Sequence, residues 1–114
     1  MTRLSDHIDD EFKFDLILDY SFLHHLPPAS IVDYASQFRA KLSPLGRLLL
    51  VCYSENDPFA RGQKSARGTL GNEMFYRTRR CIEEAYSTLK VVSYRETTLG
   101  KQRHHLGHCF VFRR

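Results

Sequence analysis

The sequence predicts a single α/β domain built on a mostly parallel sheet, and three observations point there. Residues 14–18, Phe-Asp-Leu-Ile-Leu, and residues 47–54, "RLLLVCYS", are short runs with apolar side chains on both parities. Strands of that kind are covered on both faces, as in a parallel sheet. One helix-length amphipathic stretch separates them, which makes strand, crossover and strand a right-handed unit with parallel strands. A second amphipathic stretch and two β-branched, aromatic runs follow and read as a closing hairpin. With 114 residues, the chain makes one domain, spanning 1–114.

Each element has its own reason. The first strand, 14–18, is followed by Asp19, Tyr20, Ser21 and the paired histidines His24 and His25 before Pro27-Pro28. The double proline presets a helix start, because the first turn leaves that N–H unpaired in any case. From Ala29 to Leu42, the residues Ile31, Tyr34, Ala35, Phe38 and Leu42 fall on one helical stripe. "SPLG" (43–46) reads as a turn, with Gly46 expected to hold a positive φ. Segment 55–73, which contains Gly, Pro and Arg, is expected as a long loop. Thr78 is a plausible cap for a helix over 78–87, with Cys81, Ile82, Ala85 and Tyr86 facing inward. "LKVVSYRETT" (89–98) and "HLGHCFVFRR" (105–114) are strand-like and joined by a turn at 99–102.

Charge and cysteine content narrow the function classes. Residues 1–19 hold six acids against two bases, and 1–13 is an acidic lead-in. Residues 61–80 hold six bases (Arg61, Lys64, Arg67, Arg77, Arg79 and Arg80) against Glu73 alone. Such a stretch can serve a binding module for nucleic acid or an acidic partner. No aromatic stacking platform accompanies it, so a solvated basic loop is the favoured account and nucleic acid is not the expected partner. Cys52, Cys81 and Cys109 are odd in number and form no CxxC pair, as suits reduced, mostly buried thiols. The longest apolar run, Leu48–Tyr53, is six residues, far short of a membrane span. The first residues have no apolar signal core, so a cytoplasmic protein is expected. "HHLGHC" (104–109) fits no common zinc spacing, and no metal is expected there.

The order of these words resembles the C-terminal half of a class I SAM-dependent methyltransferase domain. "FDLILDYSFLHHLPP" is similar to that family's fourth strand and following loop. "QFRAKLSPLGRLLLVCYS" is similar to its next helix, the L-x-P-G-G-x-L turn and the fifth strand, with Leu45 where a first glycine usually stands. "GNEMFYRTRRCIEEAY" resembles the helix before the closing hairpin, and "HCFVFRR" its seventh strand. The resemblance implies a partial Rossmann-like sheet of about four strands in the family's order 4-5-7-6. The last strand is antiparallel, and two main helices cover one face.

It also implies S-adenosyl-L-methionine as cofactor. Asp19, Tyr20, Ser21 and Phe22 would lie near its methionine end, and His24, Tyr53 and Ser54 near the acceptor, for which a small molecule is one candidate. His25 or Asp19 would be the catalytic base where the acceptor must lose a proton. From the residues themselves, Arg67, Asn72, Tyr76 and Arg77 in "RGTLGNEMFYR" could close over an acceptor or grip an anionic group, and loop-to-helix packing is their plainer use. Plainer uses compete: the histidines can pack and cap the helix start, and Asp19 can cap the turn after its strand. No GxGxG loop occurs in these 114 residues. In the family that loop and the ribose-gripping acid belong to the first three strands, which would precede residue 1. The chain is therefore expected to be inactive alone or to need a partner. A homodimer or a complementary chain would cover the open sheet face and edge.

Overall fold

The computed structural model describes residues 13–20, 23–67, 73–100 and 105–114. Strand β1 (Phe14–Tyr20) leads through a 3-10 turn at Leu23–His25 and a second at Pro28–Ser30 into helix α1 (Ile31–Lys41). Strand β2 (Leu42–Tyr53) returns alongside β1 in parallel. A two-stranded ribbon, β3 (Ser65–Arg67) with β4 (Glu73–Phe75), precedes helix α2 (Arg79–Ala85). The hairpin β5 (Lys90–Leu99) and β6 (His105–Arg113) closes the main sheet. Sheet order is β1-β2-β6-β5, with β6 antiparallel to both neighbours. By the family's count this is 4-5-7-6, as the resemblance implies.

Both helices lie on one face. Leu48, Leu50 and Cys52 of β2 and Phe110 and Phe112 of β6 meet Ile31, Ala35 and Phe38 of α1 and Ile82 of α2 in a single buried cluster. Tyr86, just past α2, stacks on Phe112 at 5.1 Å between ring centroids. Each large side chain buried here is worth about 1.5–3 kcal/mol before ordering costs. The ends of α1 suit its dipole, with Asp33 in the first turn and Arg39 and Lys41 in the last. Thr78 caps α2 by accepting from the Cys81 amide at 3.0 Å.

Among the described residues nothing covers the opposite face of β1. Ile17 and Asp19 point to the helices, so Leu16, Leu18 and Tyr20 point away, 65%, 60% and 56% exposed. β1 is also an edge strand. The doubly apolar pattern that marks it as a two-sided strand is met on one side only among the described residues.

Three expectations change. Gly46 does not hold a positive φ; among the described glycines Gly62 and Gly100 do. "SPLG" is instead a bulge within β2, since Phe14 pairs with Leu42 and Leu16 with Arg47. Gly46 is needed there for close approach, because a Cβ would sit 2.7 Å from the Phe14 carbonyl oxygen. Cys81 is exposed, while Cys52 and Cys109 are buried. Segment 55–73 contains a 3-10 turn at Pro58–Ala60, capped by Asp57, and the strand β3.

The bulge makes a prediction. Gly46→Ala must push either the Phe14 carbonyl or the Ser43 backbone aside, and should destabilise the chain by about 1–3 kcal/mol. Urea unfolding measures this; an unchanged midpoint would show that the close approach is not a constraint.

Candidate functional site

Open α/β sheets place ligands beyond the carboxyl ends of their strands. At that end of this sheet, the ring of Tyr53, the last residue of β2, is at the centre of an aromatic stack. His24 lies parallel to it at 3.8 Å between centroids, and His105, the first residue of β6, at 4.4 Å. Tyr76 stacks at 5.8 Å, and Phe59 tilts against His105 at 4.7 Å. His25 meets His24 edge-on at 4.4 Å and is itself exposed.

The two buried histidines of the stack differ in chemistry. His24 has no hydrogen-bond partner at its buried Nδ1. Burial, and then the neighbouring charges of His25, His105 and Arg77, lower its pKa from 6.5 to about 3. It is a neutral ring at any ordinary pH. His105 Nδ1 instead lies 2.7 Å from Oδ2 of Asp57. A carboxylate accepts, so Nδ1 carries the ring proton. The Asp57 side chain is fully buried, and its Oδ1 accepts from the Phe59 amide at 3.1 Å. Burial and the Asp57 charge raise the phenol pKa of Tyr53 and of Tyr76, so both stay protonated.

Arg77 holds this end together. One terminal nitrogen donates to the Leu23 carbonyl at 2.8 Å and the other to the Leu26 carbonyl, which pins the loop carrying His24. Its own carbonyl accepts from the Glu55 amide at 3.2 Å and from His108 Nε2 at 2.6 Å. A carbonyl only accepts, so Nε2 of His108 is protonated and its Nδ1 takes the Tyr94 hydroxyl at 2.6 Å. Desolvation lowers the Arg77 pKa.

The structure thus brings together His24, Tyr53 and Tyr76 from the sequence-predicted set, with His25 at their margin. Asp19 is buried on the helix face and accepts from the Tyr34 hydroxyl at 2.8 Å. Tyr20 is on the bare face of β1. Ser54 is buried, and its hydroxyl oxygen accepts from the Asn56 amide at 3.0 Å. Ser21, Phe22, Asn72 and His104 lie outside the described residues. Of the basic stretch, Arg77 is spent on the loop, while Arg79 and Arg80 pair with Glu83 and Glu84. Among the described residues no group of three or more His, Cys, Asp or Glu side chains is placed to hold a metal, and no helix is long and apolar enough to cross a membrane.

Sequence reasoning missed His105 and Asp57 as a pair. They are 48 residues apart, and no spacing rule joins them. The available signal was Asp57-Pro58 after a strand, a capped turn that fixes a carboxylate at the strand's carboxyl end.

His24 makes the site acid-sensitive. Its folded pKa, about 3, lies below the ordinary 6.5, so the unfolded chain binds the extra proton. The stability is complete above the ordinary value and drains as pH falls through the window between the two, at about 1.4 kcal/mol per pH unit. His24→Phe keeps a ring on Tyr53 without the proton-binding nitrogens. Its stability should fall less steeply between pH 6 and 4 in urea titrations; an identical slope in both proteins would contradict the assignment.

No family model and no curated protein matches the chain. Solved structures do. A SAM-dependent methyltransferase from Methanosarcina mazei matches at a TM-score of 0.71 and 18% identity, over 90% of this chain and 61% of that one. The 1,6-didemethyltoxoflavin-N1-methyltransferase of Burkholderia thailandensis, with bound 1,6-didemethyltoxoflavin and S-adenosylhomocysteine, matches at 0.71 and 20%, over 94% of this chain and 46% of that one. A SAM-dependent methyltransferase from Clostridium acetobutylicum matches at 0.68 and 10%, over 94% and 61%. This chain therefore spans about half to three-fifths of the neighbours' length. Its described residues do not by themselves fit the cofactor. The Asp19 carboxylate is engaged with Tyr34, and the positive-φ glycines Gly62 and Gly100 stand singly rather than in a nucleoside-cradling run. What the sheet order, the one-sided helices and these neighbours establish together is the fold: the described residues have the fold of part of a SAM-dependent methyltransferase domain, four Rossmann-like strands with two helices on one face.

Proposed function

We propose that the chain is the acceptor-side half of a SAM-dependent methyltransferase. The observation that carries this reading is the polar, aromatic cluster of His24, Tyr53, Tyr76 and His105 at the carboxyl ends of β1 and β2. In this reading the cofactor, held largely by a glycine-loop half, supplies an electrophilic methyl group. The residues described here shape the acceptor's side of the crevice. Methyl transfer depends chiefly on positioning, and stacked rings locked by Arg77 are a preorganised wall. A small-molecule acceptor is favoured by the toxoflavin-type compound bound in the Burkholderia neighbour.

The glycine-loop half is proposed to come from a partner chain, and the chain alone to be inactive. The bare face of β1 supports a covering partner, either that chain or a second copy of this one. Leu16, Leu18 and Tyr20 are apolar or aromatic, contiguous on one strand face, and on an edge strand.

Two measurements test this. Calorimetric titration of the chain alone with S-adenosylhomocysteine should show no micromolar binding; a micromolar affinity would overturn the need for a second half. Light scattering after size exclusion at low micromolar concentration should report a species larger than a monomer, reduced to a monomer by Leu18→Lys. A well-behaved wild-type monomer would contradict a second copy as the covering partner.

A further inference from the structure

On the four strands of the main sheet, charge is sorted by face. Arg47 of β2, Arg113 of β6 and Lys90 and Arg95 of β5 alternate to the side away from the helices, because Leu48, Phe112 and Tyr94 pack on the helix side. The carboxylates of the same strands, Asp15, Asp19 and Glu96, alternate to the helix side. Arg47 pairs directly with Arg113, and Arg113 with Lys90. Three like charges therefore stand in one row, on strands about 4.8 Å apart. Like charges directly opposite each other destabilise a sheet. Among the described residues none of the three lies within ion-pair range of an acidic side chain. Arg47 donates to the Leu45 and Gly46 carbonyls at 3.1 and 3.2 Å, and Arg113 to the Arg114 carbonyl at 3.1 Å. Neutral carbonyls leave the charge in place, so the row works against the fold and these strands do not offset it.

The neighbours of the row are apolar. Leu16 of β1 pairs with Arg47 and extends the row, and one step up Leu18 and Leu49 share the same face. Leu16, Leu18, Lys90 and Arg113 are exposed, and Arg47 and Leu49 half-buried. Higher on this face Val51, Leu99 and Cys109 are buried in a cluster of their own, so the open area is the end of the face remote from the aromatic stack.

We propose that Arg47, Arg113 and Lys90, beside Leu16 and Leu18, form a docking surface for an acidic segment with an apolar end, carried by the partner chain. Charge complementarity sets the acids over the cation row, and the exposed leucines of β1 take the apolar end. From β1 to β5 is about 14 Å, which about four or five extended residues span. The proposal names the chemistry of the covering partner and rests on the half-domain reading for that partner's identity, but the surface is testable without it.

The probe is a fluorescein-labelled synthetic peptide, a leucine block followed by a glutamate block, titrated with the full chain and read by anisotropy. It should bind at low salt and release as salt rises. An all-glutamate peptide should bind at least about tenfold more weakly. Arg113→Glu, at the centre of the row, should weaken the leucine–glutamate peptide at least about tenfold. The same variant should raise the urea midpoint of the chain alone, because it replaces two like-charge neighbours by two opposite ones. Lys90→Gln, exposed at the end of the row, should also weaken the peptide and carries the affinity test independently of that midpoint. No peptide binding, equal affinity for the all-glutamate peptide, or unchanged affinity in both variants would overturn the proposal. So would a lower midpoint in Arg113→Glu, which would assign the residue to the fold, or capture of phosphatidylglycerol vesicles without the peptide. Neutralising the chain's own acidic lead-in (Asp9→Asn, Asp10→Asn and Glu11→Gln together) should leave the affinity unchanged; a rise would assign the row to that segment and overturn the partner. Binding of S-adenosylhomocysteine by the chain alone sinks the half-domain reading whatever the peptide does, whereas failure of the peptide sinks this proposal only.

Discussion

One buried guanidinium organises the functional end of this sheet. Arg77 sits just before the α2 cap, bridges in parallel to Ser54 at the end of β2, and reaches the loop after β1 through both terminal nitrogens. Its carbonyl takes the inward histidine of β6. Four separately encoded segments therefore meet at one residue. A guanidinium suits this task because its planar fork can serve two carbonyls at fixed geometry, where an ammonium would act as a point charge. Without it, carbonyls at Leu23 and Leu26 would lose buried partners, at about 1–3 kcal/mol each.

The consequence is a division between the faces and the end of the sheet. The helix-covered face is a conventional apolar core in which Leu48, Leu50, Phe110 and Phe112 pack under α1 and α2. The carboxyl end is aromatic and polar, and its rings are held by stacking and by committed hydrogen bonds. The bare face of β1 is neither: it is apolar, exposed and at an edge. The sheet's second face is thus uneven: Val51, Leu99 and Cys109 form a small buried cluster of their own, while Leu16, Leu18 and Tyr20 of β1 are exposed.

Much of the fold was legible because local pattern and tertiary environment agree. Leu48-Leu49-Leu50 is apolar on both parities and buried or half-buried throughout, Ile31, Ala35 and Phe38 share a stripe, and Thr78 caps its helix in the expected way. The failures have physical causes. Gly46 looked like a turn residue, but it serves a bulge in which backbone approaches backbone, and φ preference carries no information about that. Cys81 sits beside the buried Ile82 and is exposed, because α2 is short and buries a narrow stripe. Less of the site was legible. His24, Tyr53 and Tyr76 follow strand ends or loops where ligand-facing residues collect, so position alone suggested them. Asp19 and Arg77 occupy the same kind of position, yet Asp19 turns to Tyr34 and Arg77 to backbone carbonyls. The pairing of His105 with Asp57 depends on a contact across 48 residues, which spacing cannot reveal.

The central claim is that Arg77 orders the carboxyl end as a unit distinct from the core, and amide hydrogen exchange on wild type and Arg77→Lys tests it most directly. The account predicts selective loss of protection at Ser54, Glu55 and Asp57, whose amides bond to the Leu106, Arg77 and Ser54 carbonyls, with Leu50 and Phe110 still protected. Uniform loss across both groups, or no change at Ser54, Glu55 and Asp57, would contradict it.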